Sequence, residues 1–312
     1  MEMVIKPTVL LAAYNGLPYL NELIDSLKRQ TVPFSCLIQD DGSTDGTLEV
    51  LQSLTLSDPR FSLSASSGQH LGAAGNFLSL LSQVEGPAAC CDQDDIWEPE
   101  RLELGMQALE EAEARLGKET PILVHSDLSV ISGDGTLIHE SFFRHQGWDP
   151  KAVSLPRLLV QNNVTGCACL MNDPLRRLIA GHAVRENMFM HDWFFAQTAA
   201  AFGAIVFVPR ALVRYRQHGT NAIGASASGL TGRFLKALQM PAAVRKRLKV
   251  NETQAACLLR SYEGVLSAEQ EEIIRRFLAI SKAPKCKRPF LLKKGDYLMQ
   301  SPVTRLGQYL MT

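Results

Sequence analysis

The sequence lacks paired cysteines and long apolar runs. It has seven cysteines, an odd number, and no CxxC pair. Five lie in apolar segments, which favours buried reduced thiols over disulfides or zinc; they are Cys36, Cys90, Cys91, Cys167 and Cys169. The most apolar segment, residues 196–209, is shorter than the roughly 20 residues that cross a bilayer. Because the acidic start Met1-Glu2-Met3 also does not resemble a secretion signal, we expect a cytoplasmic protein.

The sequence as a whole also lacks net charge, but its two parts differ. From Arg233 to Thr312 there are 16 basic and 6 acidic residues, a balance of +10. Out of 32 of each kind, this leaves 16 and 26, or −10, for residues 1–232. The basic region predicts contact with something anionic, either the acidic remainder of the chain or a membrane surface or lipid substrate. Since interleaved aromatic residues are missing from it, nucleic acid is not an expected partner.

The first part of the chain alternates between strand-like and helical segments. The strands are predicted at residues 8–13, 34–38, 61–64 and 88–91. The helices are predicted at residues 20–30, from about 45, at 73–81 and at 98–116. This order predicts an α/β fold with a doubly wound, mostly parallel sheet flanked by helices.

After Pro121 the pattern becomes mixed, which predicts a mixed sheet. A strand at 122–127 is followed by a turn at 132–136 that indicates a hairpin. The later elements are predicted as a strand at 165–171, a helix at 191–201 and short strands at 204–208 and 211–216. We predict a first domain at 1–225, in halves of about 1–115 and 116–225. A basic helical extension would follow at 226–312, after the small-residue run 224–229.

Carboxylates cluster where two predicted strands end, in DDGSTDGT (40–47) and CDQDDIW (91–97). Ligands of doubly wound sheets bind outside the carboxyl ends of the strands, so both segments should share one edge with residues 13–16. Asp92 and Asp94, at i and i+2, can both face Mg²⁺ or Mn²⁺. The alternative, a helix start capped by Asp95, does not explain Asp92. For Asp40-Asp41, the sequence does not exclude the alternative that the segment is an ordinary connection between a strand and a helix.

Two later segments carry further candidates. Asp192 lies at a predicted helix start, where an anion is stabilised, so it suits a general base only if burial offsets that effect; a plain helix cap is the alternative. Arg214 and Arg216 face one side of a predicted strand and could bind a diphosphate, with His218 completing the ligand set of a cation. A solvated strand edge is the alternative there.

Taken in order, the segments LLAAYNG, QDDGSTDGT, GAAGNF, CDQDDIW, TGCACLMN, HDWF and YRQHGTN resemble the inverting family 2 glycosyltransferases. The match runs from about Thr8 to Asn221 and does not cover the C-terminal 90 or so residues well. The DQDD-W form, with HDW and YRQHGTN after it, is most similar to the rhamnosyltransferase-type branch. The resemblance implies a GT-A fold, with a nucleotide-binding half followed by an acceptor-binding half.

The resemblance also implies roles for individual residues. Asp92 and Asp94 correspond to the DxD motif, and Asp192 falls at the position of the catalytic base, where His191 replaces the family's usual Glu. YRQH stands where QxxRW is usual, which leaves Arg216 and His218 without a matching motif. The predicted metal ligands are Asp92, Asp94 and His218. The predicted nucleotide- and substrate-binding residues are Ala13, Tyr14, Asn15, Asp41, Asn76, Asp92, Gln93, Asp95 and Arg216.

The implied activity is transfer of a sugar from a nucleoside-diphosphate sugar, with dTDP-L-rhamnose suggested by the branch, to a hydroxyl of a glycan or lipid-linked acceptor. The implied reaction is a displacement with inversion that uses Mg²⁺ or Mn²⁺, in bacterial surface polysaccharide biosynthesis at the inner face of the membrane. One alternative is a sugar-nucleotide nucleotidyltransferase, but residues 13–16 lack the glycine- and basic-rich loop of that class. A dehydrogenase would need GxGxxG after the first strand. A non-catalytic scaffold would not need Asp192.

Overall fold

The computed structural model describes residues 6–65, 70–217 and 230–311. Within them, one sheet contains strands β1 (Thr8–Ala13), β2 (Ser35–Asp40), β3 (Phe61–Leu63), β4 (Ala88–Asp92), β5 (Ile96–Trp97), β6 (Ile122–Ser132), β7 (Leu137–His139), β8 (Cys169–Met171) and β9 (Ala204–Gln217). The strand order is β3-β2-β1-β4-β8-β6-β9-β5, and β7 pairs with β6. Strands β5, β7 and β8 pair antiparallel with their neighbours, and the other pairs are parallel. The predicted mixed, mostly parallel sheet is therefore confirmed.

Helices cover both faces of this sheet. In the N-terminal part they are α1 (Leu17–Lys28), α2 (Thr47–Ser57), α3 (Gly72–Ser82) and α4 (Arg101–Leu116). The middle of the chain adds α5 (Phe142–Gln146), α6 (Leu155–Leu158), α7 (Asp173–His182) and α8 (His191–Phe202). The C-terminal part is helical, as predicted, with α9 (Leu230–Ser261), α10 (Ala268–Ala279), α11 (Arg288–Lys294) and α12 (Pro302–Met311). Among the described helices, none combines the length and the apolar character needed to cross a membrane.

The apolar pattern of the strands explains the layers. Strands β1 and β4 are buried along nearly their whole length, as expected for central parallel strands covered by helices on both faces. The core on one face continues from Leu10 and Phe77 into the C-terminal helices through Leu258, Tyr262 and Ile274. The C-terminal helices are thus packed into the same core as the sheet.

Two local predictions differ from the structure. Residues 165–171 do not form one strand, because Gly166–Ala168 make a turn of 3₁₀ helix before β8 begins. The two short strands predicted at 204–208 and 211–216 are one strand, β9, whose register against β6 shifts so that Ser126 faces Val208 and Asp127 faces Ala211. Pro209 lies in this irregularity, where a residue without an N–H does not break the ladder. The predicted boundary at 225/226 lies outside the described residues.

Candidate active site

A cavity of about 950 Å³ opens at the carboxyl ends of β1 and β4. Parallel sheets present their ligand sites at this edge, so its position follows from the strand order. Predicted site residues that line it are Ala13, Tyr14, Asn15, Asp41, Asn76, Asp92, Gln93, Asp94 and Asp192. Asp95 lies directly behind this wall and is 1% exposed. The cavity therefore brings together nearly all of the residues that the sequence singled out.

The loop after β1 is fixed by the loop after β4. The Gln93 side chain accepts a hydrogen bond from the Tyr14 N–H at 2.5 Å and donates one to the Tyr14 carbonyl at 2.7 Å. A Cβ on Gly16 would lie 2.5 Å from Gln93 Cδ, so this close approach requires a glycine. Asn15, at φ 51°, accepts from the Thr44 N–H at 2.8 Å. Ala13 and Tyr14 therefore face the cavity from a rigid turn.

The first acidic segment is occupied with its own backbone. Asp40 accepts hydrogen bonds from the N–H groups of Gly42 and Ser43 at 3.0 and 2.9 Å. Asp41, which is 4% exposed, accepts from the N–H groups of Leu71 and Gly72 at 2.6 and 2.7 Å, at the start of α3. Its carboxylate thus joins the end of β2 to α3. An ordinary connection between strand and helix, the alternative given for this segment, does not include such a contact.

The second acidic segment is arranged differently. Oxygens of Asp92 and Asp95 and the Cys167 sulfur all lie within 4.8 Å of one another. Burial, together with the nearby carboxylates of Asp94 and Asp192, raises the pKa of Asp92 to about 7. Burial and the charges of Asp94 and Asp92 raise the pKa of Asp95 well above its usual value. One oxygen of Asp95, Oδ1, accepts from the Arg216 N–H at 3.2 Å, while the buried Oδ2 has no nitrogen or oxygen donor. The side-chain donor beside Asp95 is the Cys167 thiol.

This group fits a divalent cation. Neighbouring carboxylates raise the pKa values of both Asp92 and Asp95, and the buried Oδ2 of Asp95 has no nitrogen or oxygen donor, so positive charge is missing there. Oxygen donors suit Mg²⁺ or Mn²⁺. Burial holds the pKa of the Cys167 thiol well above its usual value, so the hard donors of the set are the carboxylates. The structure groups Asp95 with Asp92, whereas the sequence predicted Asp94, which also lines the cavity.

Arg216 holds the second acidic segment in place. Its guanidinium is 1% exposed and donates to the carbonyls of Asp94 and Gly133, both at 2.9 Å. It also pairs with Glu22 and lies over the Tyr19 ring, 4.8 Å from the centroid. Arg214 instead pairs with Glu98 at 2.7 Å on the surface. Neither guanidinium is among the groups lining the cavity, so binding of a diphosphate by Arg216 stays a prediction, and His218 lies outside the described residues.

The start of α8 brings Asp192 to the cavity. It is 8% exposed and accepts from the N–H groups of Trp193 at 2.6 Å and Gly166 at 3.2 Å. Burial outweighs these hydrogen bonds and raises the pKa of Asp192 to about 6. The sequence analysis required burial to offset the helix start if Asp192 is to serve as a base, and this requirement is met. The carboxylate is ionised at neutral pH yet more basic than an ordinary aspartate.

His191 fills the space beside Asp192. Its ring is 3% exposed and stacks on Phe77 with centroids 4.1 Å apart. A Cβ on Gly166 would lie 2.9 Å from His191 Nε2, so the turn of 3₁₀ helix at 166–168 requires glycine where it passes the ring. Burial lowers the pKa of His191 to about 3, so the ring is neutral. Asn76 lies one residue before Phe77, and its buried Oδ1 has no hydrogen-bond partner.

Sequence reasoning missed several groups of the cavity. Cys167 is buried and reduced, as predicted, but the sequence does not predict its position next to the acids, which follows from the turn at Gly166–Ala168. The wall near Asp192 also contains Asn162, and helix α9 contributes Lys246, Arg247 and Asn251. The run RKRLK at 245–249 marked this part of α9 only as basic. Nothing in its pattern showed that the helix returns to the cavity.

Comparisons with known proteins agree with this geometry. Residues 8–116 match the family model for glycosyl transferase family 2. That range ends with α4 and includes both acidic segments, so the resemblance stated from the sequence is confirmed for this region. The dTDP-rhamnosyl transferase RfbG of Shigella flexneri is 26% identical over 233 residues, which are 70% of this chain and 75% of that protein.

Solved structures show the fold over nearly the whole chain. The crystal structure of S. aureus TarS 1-349 in complex with UDP-GlcNAc aligns with a TM-score of 0.56 at 17% identity, over 98% of this chain and 89% of that one. The mannosyltransferase PcManGT from Pyrobaculum calidifontis, in complex with GDP-Man and Mn²⁺, aligns with a TM-score of 0.55 at 16% identity, over 99% and 84%. The fold is therefore of the GT-A type. The chain spans 57% of the length of three mycobacterial relatives that it matches at 26% identity.

Proposed function

We propose that this protein is an inverting glycosyltransferase that moves a sugar from a nucleoside-diphosphate sugar to an acceptor hydroxyl. The observation that carries the proposal is the position of two kinds of carboxylate in one cavity. Asp92 and Asp95 form a group that lacks positive charge, and Asp192, from the start of α8, is near enough to raise the pKa of Asp92. A displacement at an anomeric carbon needs this separation of roles, with one group for the leaving diphosphate and another for the incoming hydroxyl.

On the donor side, Asp92, Asp94 and Asp95 would hold Mg²⁺ or Mn²⁺ together with the diphosphate. When bound, such a cation neutralises the charge that develops on a leaving phosphate group. Tyr14 and Asn15 would form the wall of the nucleotide pocket from their rigid turn. Asp41 keeps its predicted contact with the base in this proposal, although its carboxylate already binds the start of α3.

On the acceptor side, Asp192 would remove the proton from the attacking hydroxyl. Its raised pKa makes the carboxylate a better base while leaving it ionised at pH 7. General-base assistance of this kind is worth about 10²–10⁴-fold in rate. Attack from the face opposite the leaving group inverts the anomeric centre, and the reaction needs no covalent intermediate on the protein.

The name of RfbG, a dTDP-rhamnosyl transferase, supports dTDP-L-rhamnose as the donor. The solved relatives were crystallised with UDP-GlcNAc and GDP-Man, so the fold accepts several nucleotides. The acceptor would be a glycan or lipid-linked saccharide of bacterial surface polysaccharide biosynthesis. The protein would then act in the cytoplasm, at the inner face of the membrane.

A panel of sugar nucleotides tests the proposal. We expect Mn²⁺-dependent thermal stabilisation of the wild-type protein by one donor, and stronger stabilisation by dTDP-L-rhamnose than by UDP- or GDP-sugars. Asp192→Asn should bind that donor within about twofold of wild type while transfer falls about 10²–10⁴-fold. Near-normal transfer by Asp192→Asn would show that the base lies elsewhere, and the absence of binding by every donor would contradict the proposal as a whole.

A further inference from the structure

Helix α9 presents two cations to the cavity that have no partner in the described part of the chain. Lys246 and Arg247 both line the cavity and are exposed. Neither takes part in an ion pair or side-chain hydrogen bond with another described residue. They are the cationic side chains among the described cavity-lining residues, and they lie in a wall that the family match at 8–116 does not include.

The anchoring of α9 places these cations on the acceptor side. One turn further along α9, Asn251 donates to the Val160 carbonyl at 2.7 Å, two residues before Asn162. Gln254 accepts from the Phe189 N–H at 2.8 Å, three residues before Asp192. Residues 247, 251 and 254 share one helix face by their spacing of four and three. The helix that carries the cations is therefore attached to the segments that carry Asn162 and Asp192.

The charges of the cavity require an explanation for this pair. The other charged groups among the described lining residues are the carboxylates of Asp41, Asp92, Asp94 and Asp192. A neutral acceptor hydroxyl needs no cation, and the donor diphosphate would be held with the metal at the end of β4. Within the described part of the chain, Lys246 and Arg247 are neighbouring cations without a side-chain partner, and such donors are the groups that bind an oxyanion.

We propose, on the basis of the glycosyltransferase function above, that Lys246 and Arg247 bind a phosphate group of the acceptor substrate. A phosphate monoester carries up to two negative charges at neutral pH, and a diphosphate that links a lipid to a sugar also carries two, which matches the two cations, whereas a carboxylate carries one. The acceptor is therefore a phosphorylated or phospholipid-linked saccharide, held by its phosphate so that its hydroxyl lies at Asp192.

Calorimetric titration with geranyl phosphate and with inorganic phosphate tests this site. Both titrations use the full-length protein, with and without Mn²⁺ and the tightest-binding of UDP, GDP and dTDP. The double variant Lys246→Gln/Arg247→Gln should bind geranyl phosphate about 10- to 100-fold more weakly than wild type, since each hydrogen bond to a charged group is lost. Its affinity for the nucleotide should change less than about twofold.

The matched control is Lys249→Gln/Lys285→Gln, which removes two exposed lysines outside the cavity and should leave both affinities unchanged. If inorganic phosphate binds as well as geranyl phosphate, the phosphate alone is recognised; tighter binding of geranyl phosphate adds the lipid to the site. Equal binding of geranyl phosphate by the double variant and wild type would overturn the inference. So would a loss confined to the nucleotide, because the cations would then serve the donor. A failure of every nucleotide to bind counts against the glycosyltransferase function, while the titration without nucleotide still decides the role of the cations.

Discussion

The two acidic segments of this chain look alike in sequence and differ in what surrounds their carboxylates. In DDGSTDGT, the carboxylates of Asp40 and Asp41 accept hydrogen bonds from four backbone N–H groups. In DQDD, Asp92 and Asp95 lie beside each other and beside Cys167, and a buried oxygen of Asp95 has no partner. The first segment is stabilised by the protein itself, whereas the second lacks positive charge that a ligand has to supply.

This difference shows why a count of acids at a strand end does not identify a site. Asp45 belongs to the first kind, since burial is outweighed by hydrogen bonds from Thr47 and Leu17 and the pKa of Asp45 is lowered. Burial and its acidic neighbours raise the pKa of Asp92 instead. The direction of the pKa shift therefore distinguishes Asp45, which stabilises its own loop, from Asp92, which awaits a ligand.

The largest effect is expected for Asp92→Asn. Loss of a metal ligand should lower Mn²⁺-dependent transfer more than about 100-fold, because even residues that only orient a ligand cost about 10- to 100-fold. The unfolding free energy should stay the same or rise, since one of several neighbouring carboxylates is removed. Transfer assays across a range of Mn²⁺ concentrations, with urea denaturation alongside, measure both quantities. A marked loss of stability would place Asp92 with the loop-building acids.

Asp41→Asn should give the opposite result. The amide keeps one acceptor oxygen and turns an N–H₂ group toward a backbone donor at the start of α3. Loss of charge-assisted hydrogen bonds in a buried position should lower the unfolding free energy by about 1.5–3 kcal/mol, as measured by urea denaturation. Transfer at saturating donor should change much less than in Asp92→Asn. Normal stability together with lost nucleotide affinity would instead make Asp41 a contact to the base alone.

Most of the fold could be predicted from the sequence, because the central strands are buried on both faces and alternate with amphipathic helices. The prediction of one strand at 165–171 was wrong because apolar composition does not distinguish an extended segment from a tight turn. The structure shows that a side chain at Gly166 would collide with His191, a long-range contact that the local sequence does not reveal. The two short strands predicted near 209 were wrong for a related reason, since a proline can lie within a strand at a register shift.

For the candidate site, motifs along the chain predicted which residues line the cavity, but they did not predict what most of those residues contact. Asp92, Asp94 and Asp192 line one cavity, as their order predicted. Arg216 could not be assigned, because its donors are used by the carbonyls of Asp94 and Gly133, and such long-range pairs leave no local pattern. The same holds for α9, whose cations reach the cavity only through contacts about 90 residues away in sequence, such as Asn251 with Val160.

The smallest effect, and the most direct comparison of the two kinds of acid, is the pH dependence of stability. The pKa of Asp192 is about 6 in the folded protein, above the unfolded value of about 3.9. Ionisation of Asp192 therefore lowers the unfolding free energy. The loss is complete above pH 6 and absent below the unfolded pKa. Asp45 has a lowered pKa, so its contribution to stability is present at neutral pH and is lost as the pH falls.

The variants Asp192→Asn and Asp45→Asn should consequently change the pH profile of stability in opposite directions. Relative to wild type, the unfolding free energy of Asp192→Asn should fall by about 1–3 kcal/mol as the pH is lowered from 8 to 4, because the wild type regains stability when Asp192 is protonated. For Asp45→Asn the difference should move the other way, mainly below about pH 4, because the wild type loses the benefit of that carboxylate only below the unfolded pKa of an aspartate. Urea denaturation at several pH values measures these slopes. Each asparagine also changes local hydrogen bonds, but that change in unfolding free energy is the same at every pH and does not affect the slope. Parallel slopes for the two variants would mean that Asp192 is held by its backbone donors in the way that Asp45 is, and burial would then no longer explain its suitability as a base.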